Sequence, residues 1–357
     1  SHLPGLTGNR VDLLINGEAT FAAIFNALAG AQQVILLQFF IIRDDRLGRR
    51  LQDVLLERAA AGVQVHVLYD GVGSHSLSAA FIDRLRRGGV QIHAFPTRSG
   101  LLNRFQLNFR NHRKIVVIDG RIGYTGGMNI TDEQDERLRA DAYRDLHMRM
   151  TGKSVRVLQL VFAEDWAYAT GRRDFLAEVE QQTPAADAGP VRTQILTSGP
   201  DSSWEAIHRA HVGAIHAARE RVWMTTPYFV PGEAAMMALT SAALAGLDVR
   251  LLVPRVSDSW LVTLAARSYF GQLLVAGVKI YEYRSRMLHS KSLLVDDHLA
   301  IIGSANFDHR SFRLNFELSV LFDDVDIATR LARLIESEFA HAPRVHRGRT
   351  RPLLSAR

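Results

Sequence analysis

The chain carries one short motif twice, and this duplication limits the folds that it can adopt. A histidine, a lysine two residues later and an aspartate five residues after the lysine recur at His112, Lys114 and Asp119 and at His289, Lys291 and Asp296. A glycine follows each histidine after 14 residues and an asparagine after 17: Gly126 and Asn129, then Gly303 and Asn306. Five residues that match at the same spacing indicate an internal repeat, in which each copy supplies half of one site.

The repeat extends to the predicted secondary structure. Apolar, strand-like runs begin at Val34 and at Val222, and each is followed by helical stretches and further strands that start after Ala-Gly or Gly-Val. Strands that alternate with helices at this spacing predict an α/β fold with a substantially parallel sheet. The segment Thr183–Pro190 is rich in proline, alanine and glycine and predicts a linker, so we divide the chain into domains 1–185 and 190–357.

The composition favours an anionic partner. The chain has 357 residues, 47% hydrophobic content and a net charge of +6, which suit a globular protein of two domains that binds nucleic acid or an acidic membrane surface. Cysteine is absent, so disulfides and thiolate metal sites are excluded. The longest apolar run, Val34–Ile42, is about half of the ~20 residues that a membrane-spanning helix needs.

Two of the chain's few lysines lie in the repeated motif, where a compact cation is useful. Of 43 basic residues only four are lysine, and two of these are Lys114 and Lys291. In each motif the histidine and the lysine share one strand face, because side chains alternate along a strand. The motif aspartate has the opposite parity and lies at a predicted hairpin turn, so we expect Asp119 and Asp296 to support local structure.

The two copies together hold the groups that a phosphodiester reaction needs. Two lysines and the amides of Asn129 and Asn306 can stabilise the charge that develops on the phosphoryl oxygens. One histidine can attack phosphorus and form a phosphohistidine, while the other protonates the leaving alcohol and then deprotonates the acceptor. Gly126 and Gly303 would let the backbone approach an anion.

We predict no cofactor and no metal. The residue that follows each motif histidine on its strand face is a cation, and no cluster of carboxylates or thiols adjoins it. Each catalytic imidazole also needs an acid on its other nitrogen. Asp145 and Glu317, on later predicted strands of the two halves, are the candidates.

The first half carries an insertion before its motif. Gly89 and His112 are 23 residues apart, whereas the matching Gly277 and His289 are 12 apart. Such a segment could guide an acyl chain and an anionic head group, and a packed surface loop is the alternative. The basic and aromatic side chains that interleave in it are Arg104, Phe105, Phe109 and Arg110.

At these motifs the chain resembles the phospholipase D superfamily, whose signature is the duplicated His-Lys-Asp motif. The resemblance covers about Asn16 to Phe339, and longer strings resemble its bacterial cardiolipin synthase branch: Asn16-Gly-Glu-Ala-Thr-Phe, Thr226-Pro-Tyr-Phe-Val-Pro and Gly303-Ser-Ala-Asn-Phe-Asp-His-Arg. It implies two similar α/β domains with mixed sheets, related by a pseudo-two-fold axis, with the active site at their interface. Within these strings, Tyr228 and Ser304 are predicted to contact substrate.

The resemblance also implies a reaction. One phosphatidylglycerol gives its phosphatidyl group to His112 and releases glycerol, and a second phosphatidylglycerol attacks the phosphohistidine to give cardiolipin. By the same resemblance Asp145 supports His112 and Glu317 supports His289.

The implied partners are phosphatidylglycerol and an anionic membrane surface, with no protein partner required, and the implied location is the cytoplasmic face of a bacterial inner membrane. The basic residues near the C-terminus could hold anionic lipid, and a disordered tail is the alternative: Arg344, Arg347, Arg349 and Arg351.

Three alternatives remain open on the sequence. A phospholipase D would use water as the acceptor at the same site. A nuclease of the same superfamily is permitted by the positive charge, although the apolar segment Leu101–Phe109 favours lipid over nucleic acid. A catalytically inactive binding protein could also be built on this fold.

Overall fold

The computed structural model describes residues 5–96, 109–181, 185–200 and 204–346. The helices of the first half are α1 (Asn16–Ala29), α2 (Arg46–Ala60), α3 (Ala79–Arg87), α4 (Ser154–Thr170) and α5 (Arg173–Gln181), with a 3-10 turn at Asp132–Gln134. Its strands are β1 (Leu6–Ile15), β2 (Val34–Phe39), β3 (Gln64–Asp70), β4 (Gln91–Phe95), β5 (Arg110–Asn111), β6 (Ile115–Ile118), β7 (Ile122–Gly126) and β8 (Leu146–Gly152).

The second half repeats this order. Its helices are α6 (Ala206–Ala217), α7 (Glu233–Leu244), α8 (Trp260–Ala276), α9 (His309–Arg313) and α10 (Val325–Phe339). Its strands are β9 (Val191–Ser198), β10 (Arg221–Thr225), β11 (Phe229–Val230), β12 (Asp248–Pro254), β13 (Lys279–Tyr283), β14 (Ser292–Val295), β15 (Leu299–Gly303), β16 (Phe307–Asp308) and β17 (Asn315–Asp323).

One mixed sheet runs through both halves. Over the described ranges its strand order is β13-β12-β10-β14-β15-β17-β9-β1-β8-β7-β6-β2-β3-β4. Outward from the contact between β9 and β1, the corresponding strands of the two halves follow in the same order, so the sheet has a pseudo-two-fold axis at that contact.

The α/β class and the repeated units are confirmed, and the two mixed sheets join edge to edge. The outer three strands of each half are parallel, and the inner strands are antiparallel. The expectation of a substantially parallel sheet therefore holds only for the outer strands. The division into domains 1–185 and 190–357 stays a prediction; Ala185–Pro190 has neither helix nor strand before β9 begins.

Helices cover both faces of the sheet. Alternation along β2 directs Ile35 and Leu37 towards α1 and α2 on one face, while Leu36 enters the core on the other face. That second core extends across both halves, because Leu158 of α4 and Leu331 of α10 belong to the same cluster. The halves therefore share apolar surface that would be exposed to water if they separated.

A buried polar network also joins the two halves. The guanidinium of Arg113 donates to Asp165 Oδ1 on α4 at 2.6 Å and reaches the main-chain oxygens of Glu317 at 3.3 Å and Ser198 at 3.4 Å in the second half. Gln38 donates to the same carboxylate at 2.7 Å. Because both charges are buried, removing one would leave the other without compensation.

We expect Asp165→Asn to lower the free energy of unfolding by about 3 kcal/mol, because it leaves the buried guanidinium of Arg113 unpaired. Urea unfolding followed by circular dichroism measures the change. The matched control is Asp174→Asn, which breaks the exposed ion pair with Arg172 and should change stability little, because exposed pairs are screened. Equal losses in the two variants would contradict the role given to Asp165.

Candidate active site

A strand of the second half positions His112. The His112 N–H donates to the main-chain oxygen of Phe316 at 2.8 Å, where β5 and β17 pair in parallel. Glu317 follows Phe316, so its carboxylate lies beside the imidazole, with 3.3 Å between His112 Nδ1 and Glu317 Oε1. Glu317 is fully buried and is itself held by hydrogen bonds from the Ser304 hydroxyl and the Asn315 amide.

The first half positions His289 in the same way. The His289 N–H donates to the main-chain oxygen of Arg144 at 2.7 Å, beside the parallel bridge between Arg144 and Leu288. Asp145 follows Arg144, and its Oδ2 lies 2.6 Å from His289 Nδ1. A side chain at Gly127 would collide with this carboxylate, because a Cβ there would lie 2.2 Å from Asp145 Oδ1.

The acids are therefore paired across the halves, and one expectation is wrong. The resemblance assigned Asp145 to His112 and Glu317 to His289, whereas Glu317 contacts His112 and Asp145 contacts His289. The physical reason is the parallel pairing of each histidine segment with the strand that carries the acid of the other half. Each histidine–carboxylate dyad thus needs both halves of the chain.

Both motif lysines are buried beside the dyads. Lys114 Nζ donates to the main-chain oxygen of His112 at 2.6 Å, and Lys291 Nζ donates to that of His289. Burial lowers the pKa of Lys114 to about 8 and the pKa of Lys291 to about 7, against the opposing charges of the two buried acids. An anion that enters between the lysines would therefore favour their charged forms.

The pKa values of the two dyads suit nucleophilic and proton-transfer chemistry. Burial would raise the pKa of Asp145, but the positive charge of Lys291 and the contact with His289 hold it below its usual value. The pKa of Glu317 is lowered in the same way by His112 and Lys114, against the effect of burial. Burial lowers the pKa of both histidines despite their carboxylates, so neutral imidazoles face ionised acids at neutral pH.

The motif aspartates lie at the hairpins that follow the catalytic strands. The Asp119 carboxylate accepts main-chain N–H groups of Gln33 at 2.8 Å and Val34 at 2.9 Å. The Asp296 carboxylate accepts those of Glu220 at 2.9 Å and Arg221 at 3.1 Å. Both aspartates adopt positive φ, at 52° and 53°. They tie the hairpin to the start of β2 or β10 and do not reach the histidines.

The motif glycines make room for the adjacent strand. A Cβ at Gly126 would lie 2.6 Å from the His147 Cα, and one at Gly303 would lie 2.4 Å from the Leu318 main-chain oxygen. These glycines therefore allow strands to approach each other, as structural support would require, and the approach of an anion to their backbone stays a prediction.

The motif asparagines are buried near the site. Asn129 and Asn306 are both buried. Asn129 Oδ1 accepts the Ile41 N–H at 3.1 Å, which orients its NH2 group as a donor.

The predicted substrate contacts have different outcomes. Arg104 and Phe105 lie outside the described residues, as do Arg347, Arg349 and Arg351 of the tail.

Phe109 and Arg110 are half-buried beside the site, and Tyr228 donates its hydroxyl to Asp258 at 2.6 Å. Ser304 is fully buried, and its hydroxyl supports the Glu317 carboxylate; its contact with substrate stays a prediction. Of the tail arginines, Arg344 forms a β-bridge with Tyr281.

Sequence reasoning missed several residues around the dyads. The Phe40 ring lies 3.9 Å from that of His112, and the Tyr143 ring lies 5.5 Å from that of His289. The network of Gln38, Arg113 and Asp165 was also missed. The sequence contained one sign of this buried network, because Gln38 is the only polar residue in the apolar run Val34–Ile42. In the described part of the chain no group of three metal-ligating side chains comes together.

Two histidine–carboxylate dyads and two buried lysines, shared between two α/β repeats, define a phosphoryl-transfer site of the phospholipase D type. The model of a family described as "Cardiolipin synthase, PLD-like domain" matches residues 24–141 and 212–340, and the chain belongs to this family.

Relatives of known name and structure agree with this membership. The chain is 48% identical over 350 residues to cardiolipin synthase A of Pseudomonas fluorescens, covering 98% of this chain and 72% of that protein. It is 50% identical over 339 residues to cardiolipin synthase A of Pseudomonas syringae, covering 95% and 70%. A solved phosphatidylserine synthase of Haemophilus influenzae has the same fold, with a TM-score of 0.73 at 14% identity, covering 96% of this chain and 90% of that one.

The crossed pairing can be tested by titrating the two histidines. Because the Glu317 carboxylate raises the pKa of His112, we expect Glu317→Gln to lower that pKa further and to leave His289 nearly unchanged. Asp145→Asn should lower the pKa of His289 instead. NMR titration of histidine-labelled protein, with assignments from single His→Ala variants, measures both values. If Glu317→Gln instead lowers the pKa of His289 and Asp145→Asn lowers that of His112, each acid serves the histidine of its own half.

Anion binding should weaken as pH rises, because the pKa values of Lys291 and Lys114 are about 7 and about 8. Sulfate is a suitable probe, since its charge is constant from about pH 6 to about pH 9. Calorimetry should show affinity falling across this interval. Lys291→Arg should remove the lower of the two steps, because arginine stays charged. A constant affinity in the unmodified protein would contradict this account.

Proposed function

We propose that this protein is a cardiolipin synthase that transfers a phosphatidyl group from one phosphatidylglycerol to another and releases glycerol. The crossed pair of dyads around two buried lysines carries the proposal, because it supplies a nucleophile, a proton carrier and two cations at one place. The relatives named cardiolipin synthase A support the choice of lipid.

In the first step His112 is the nucleophile. Its Nδ1 faces Glu317, so Nε2 is the nitrogen that attacks phosphorus and forms the phosphohistidine. The imidazole becomes positively charged, and the Glu317 carboxylate stabilises that charge. Lys114 and Lys291 stabilise the negative charge that grows on the non-bridging oxygens.

His289 carries the proton in both steps. The negative charge of a bound phosphodiester favours the protonated form of His289, which takes up a proton as the lipid binds. This imidazolium then protonates the glycerol oxygen as the bond from that oxygen to phosphorus breaks. The neutral imidazole then takes a proton from the glycerol hydroxyl of the second phosphatidylglycerol, whose oxygen attacks phosphorus and breaks the phosphorus–nitrogen bond. The 2.6 Å contact with Asp145, against 3.3 Å in the other dyad, favours His289 for this role, because a closer carboxylate stabilises the imidazolium better.

The acceptor alcohol decides between synthase and hydrolase. Water at the same site would give phosphatidic acid, so a synthase must exclude water or keep acceptor lipid concentrated at the site. We place the reaction at the cytoplasmic face of a bacterial inner membrane, on an anionic surface rich in phosphatidylglycerol. Among the described helices, none is both long enough and apolar enough to cross a bilayer.

The test is incubation with phosphatidylglycerol vesicles, followed by mass spectrometry of the lipids. We expect cardiolipin and free glycerol, and a loss of at least about a hundredfold in His112→Ala and His289→Ala, because general acid–base groups contribute factors of this size or more. The control is His298→Ala, which removes an exposed histidine from the hairpin after the second motif.

Other products would point to other activities. Phosphatidic acid alone would show a hydrolase, and cleavage of labelled DNA in place of lipid would show a nuclease. Unchanged turnover in both histidine variants would show that this site does not carry the activity. Peptide mapping of trapped intermediate should find the phosphatidyl group on His112, and a phosphatidyl group on His289 would reverse the assigned roles.

A further inference from the structure

Three large apolar side chains are exposed in a loop, residues 255–261, that leads from β12 into the first turn of α8. Val256 is 60% exposed, Trp260 is 67% exposed and Leu261 is 61% exposed. Isolated exposed apolar residues are common, but a cluster of this size on one ordered loop is typical of an interaction surface. The cluster is not explained by the catalytic site, because none of the three touches a histidine–carboxylate dyad.

Internal hydrogen bonds hold this loop in shape. Ser257 is buried; its N–H donates to Thr263 Oγ1 at 3.1 Å, and its hydroxyl donates to the Ser259 main-chain oxygen at 2.6 Å. The Ser257 side chain is therefore turned inward, and the exposed Asp258 is held by the Tyr228 hydroxyl. This leaves Val256 and Trp260 displayed outward and unable to fold into the core without breaking those bonds.

The loop stands at the rim of the candidate active site. It follows the carboxyl end of β12, and Asp258 at its centre accepts a hydrogen bond from the Tyr228 hydroxyl at 2.6 Å. The Asp258 charge acts on Lys291 and on Tyr143, whose ring lies 5.5 Å from that of His289. A surface that docks on the loop would therefore lie in front of the reacting groups.

Basic residues flank the apolar cluster. Arg255 begins the loop, and its N–H donates to the main-chain oxygen of Tyr283 at 2.9 Å, next to Arg284. Both arginines are exposed, and the whole chain carries a net charge of +6. Apolar side chains that include tryptophan, bordered by arginine, are the combination that binds at the boundary between head groups and acyl chains of an anionic bilayer.

We propose that residues 255–261 form a membrane-docking loop, which inserts Val256, Trp260 and Leu261 into an anionic bilayer and so presents the active site to its lipids. The inference rests on the proposed function, because that function is what makes a lipid surface the occupant. Docking in this orientation lets a lipid reach the dyads without leaving the bilayer completely, and it reduces the access of water to the phosphohistidine.

The test compares two double variants that remove similar apolar area. Trp260→Ser with Leu261→Ser removes the cluster. Leu244→Ser with Val275→Ser is the control, because these residues are 73% and 63% exposed. They lie at the C-terminal ends of α7 and α8, which lead to the starts of β12 and β13, whereas the loop follows the end of β12. All four sites are exposed, so both variants should fold.

We expect the loop variant to bind phosphatidylglycerol vesicles at least about tenfold more weakly in co-sedimentation, and the control to bind like the unmodified protein. Brominated lipids should quench tryptophan fluorescence, and Trp260→Phe should remove most of that quenching. Turnover of a water-soluble, short-chain phosphatidylglycerol should be unchanged in the loop variant, whereas turnover of vesicles should fall.

Vesicle binding is measured without turnover, so the two proposals can fail separately. Unaltered vesicle binding by the loop variant, or no vesicle binding by the unmodified protein, would overturn the docking loop even if cardiolipin is made. Loop-dependent binding without cardiolipin would overturn the proposed function alone. If the loop variant instead dissociates a dimer in sedimentation and keeps its vesicle affinity, the loop joins two copies of the chain and the docking proposal is wrong.

Discussion

The catalytic centre depends on two main-chain hydrogen bonds that cross between the halves. His112 donates to Phe316 and His289 donates to Arg144, and each bond places the next residue, an acid, against the imidazole. Because these bonds join short parallel segments, the acid of one half cannot reach the histidine of its own half in the same way. The single sheet, the core shared by α4 and α10 and the buried Arg113 network keep those segments aligned.

Burial gives the centre its chemical character. Two ammonium groups and two carboxylates are enclosed in one small region, where charges interact more strongly than in water. Without a bound anion, burial lowers the pKa of both lysines towards neutrality. A phosphodiester would restore their charge, so substrate binding and the electrostatic stabilisation of the transition state come from the same two residues.

The two halves are similar but not equivalent. The shorter acid, Asp145, lies against Gly127, whereas the longer acid, Glu317, accepts a hydrogen bond from Ser304 at the corresponding position. These local differences give one dyad a closer contact than the other. A duplicated site can in this way assign different tasks, nucleophile and proton carrier, to chemically identical histidines.

The sequence by itself determined the repeat and the α/β class, because these depend on local periodicity and on matching offsets. The expectation that histidine and lysine share a strand face is wrong, since both residues of each motif precede β6 or β14. The tertiary structure alone decided which acid serves which histidine, since His289 and Asp145 are 144 positions apart. It also placed the Ser304 hydroxyl against Glu317 and joined the two sheets into one. Contacts between distant segments depend on strand pairing across the halves, and periodicity within a segment carries no information about that pairing.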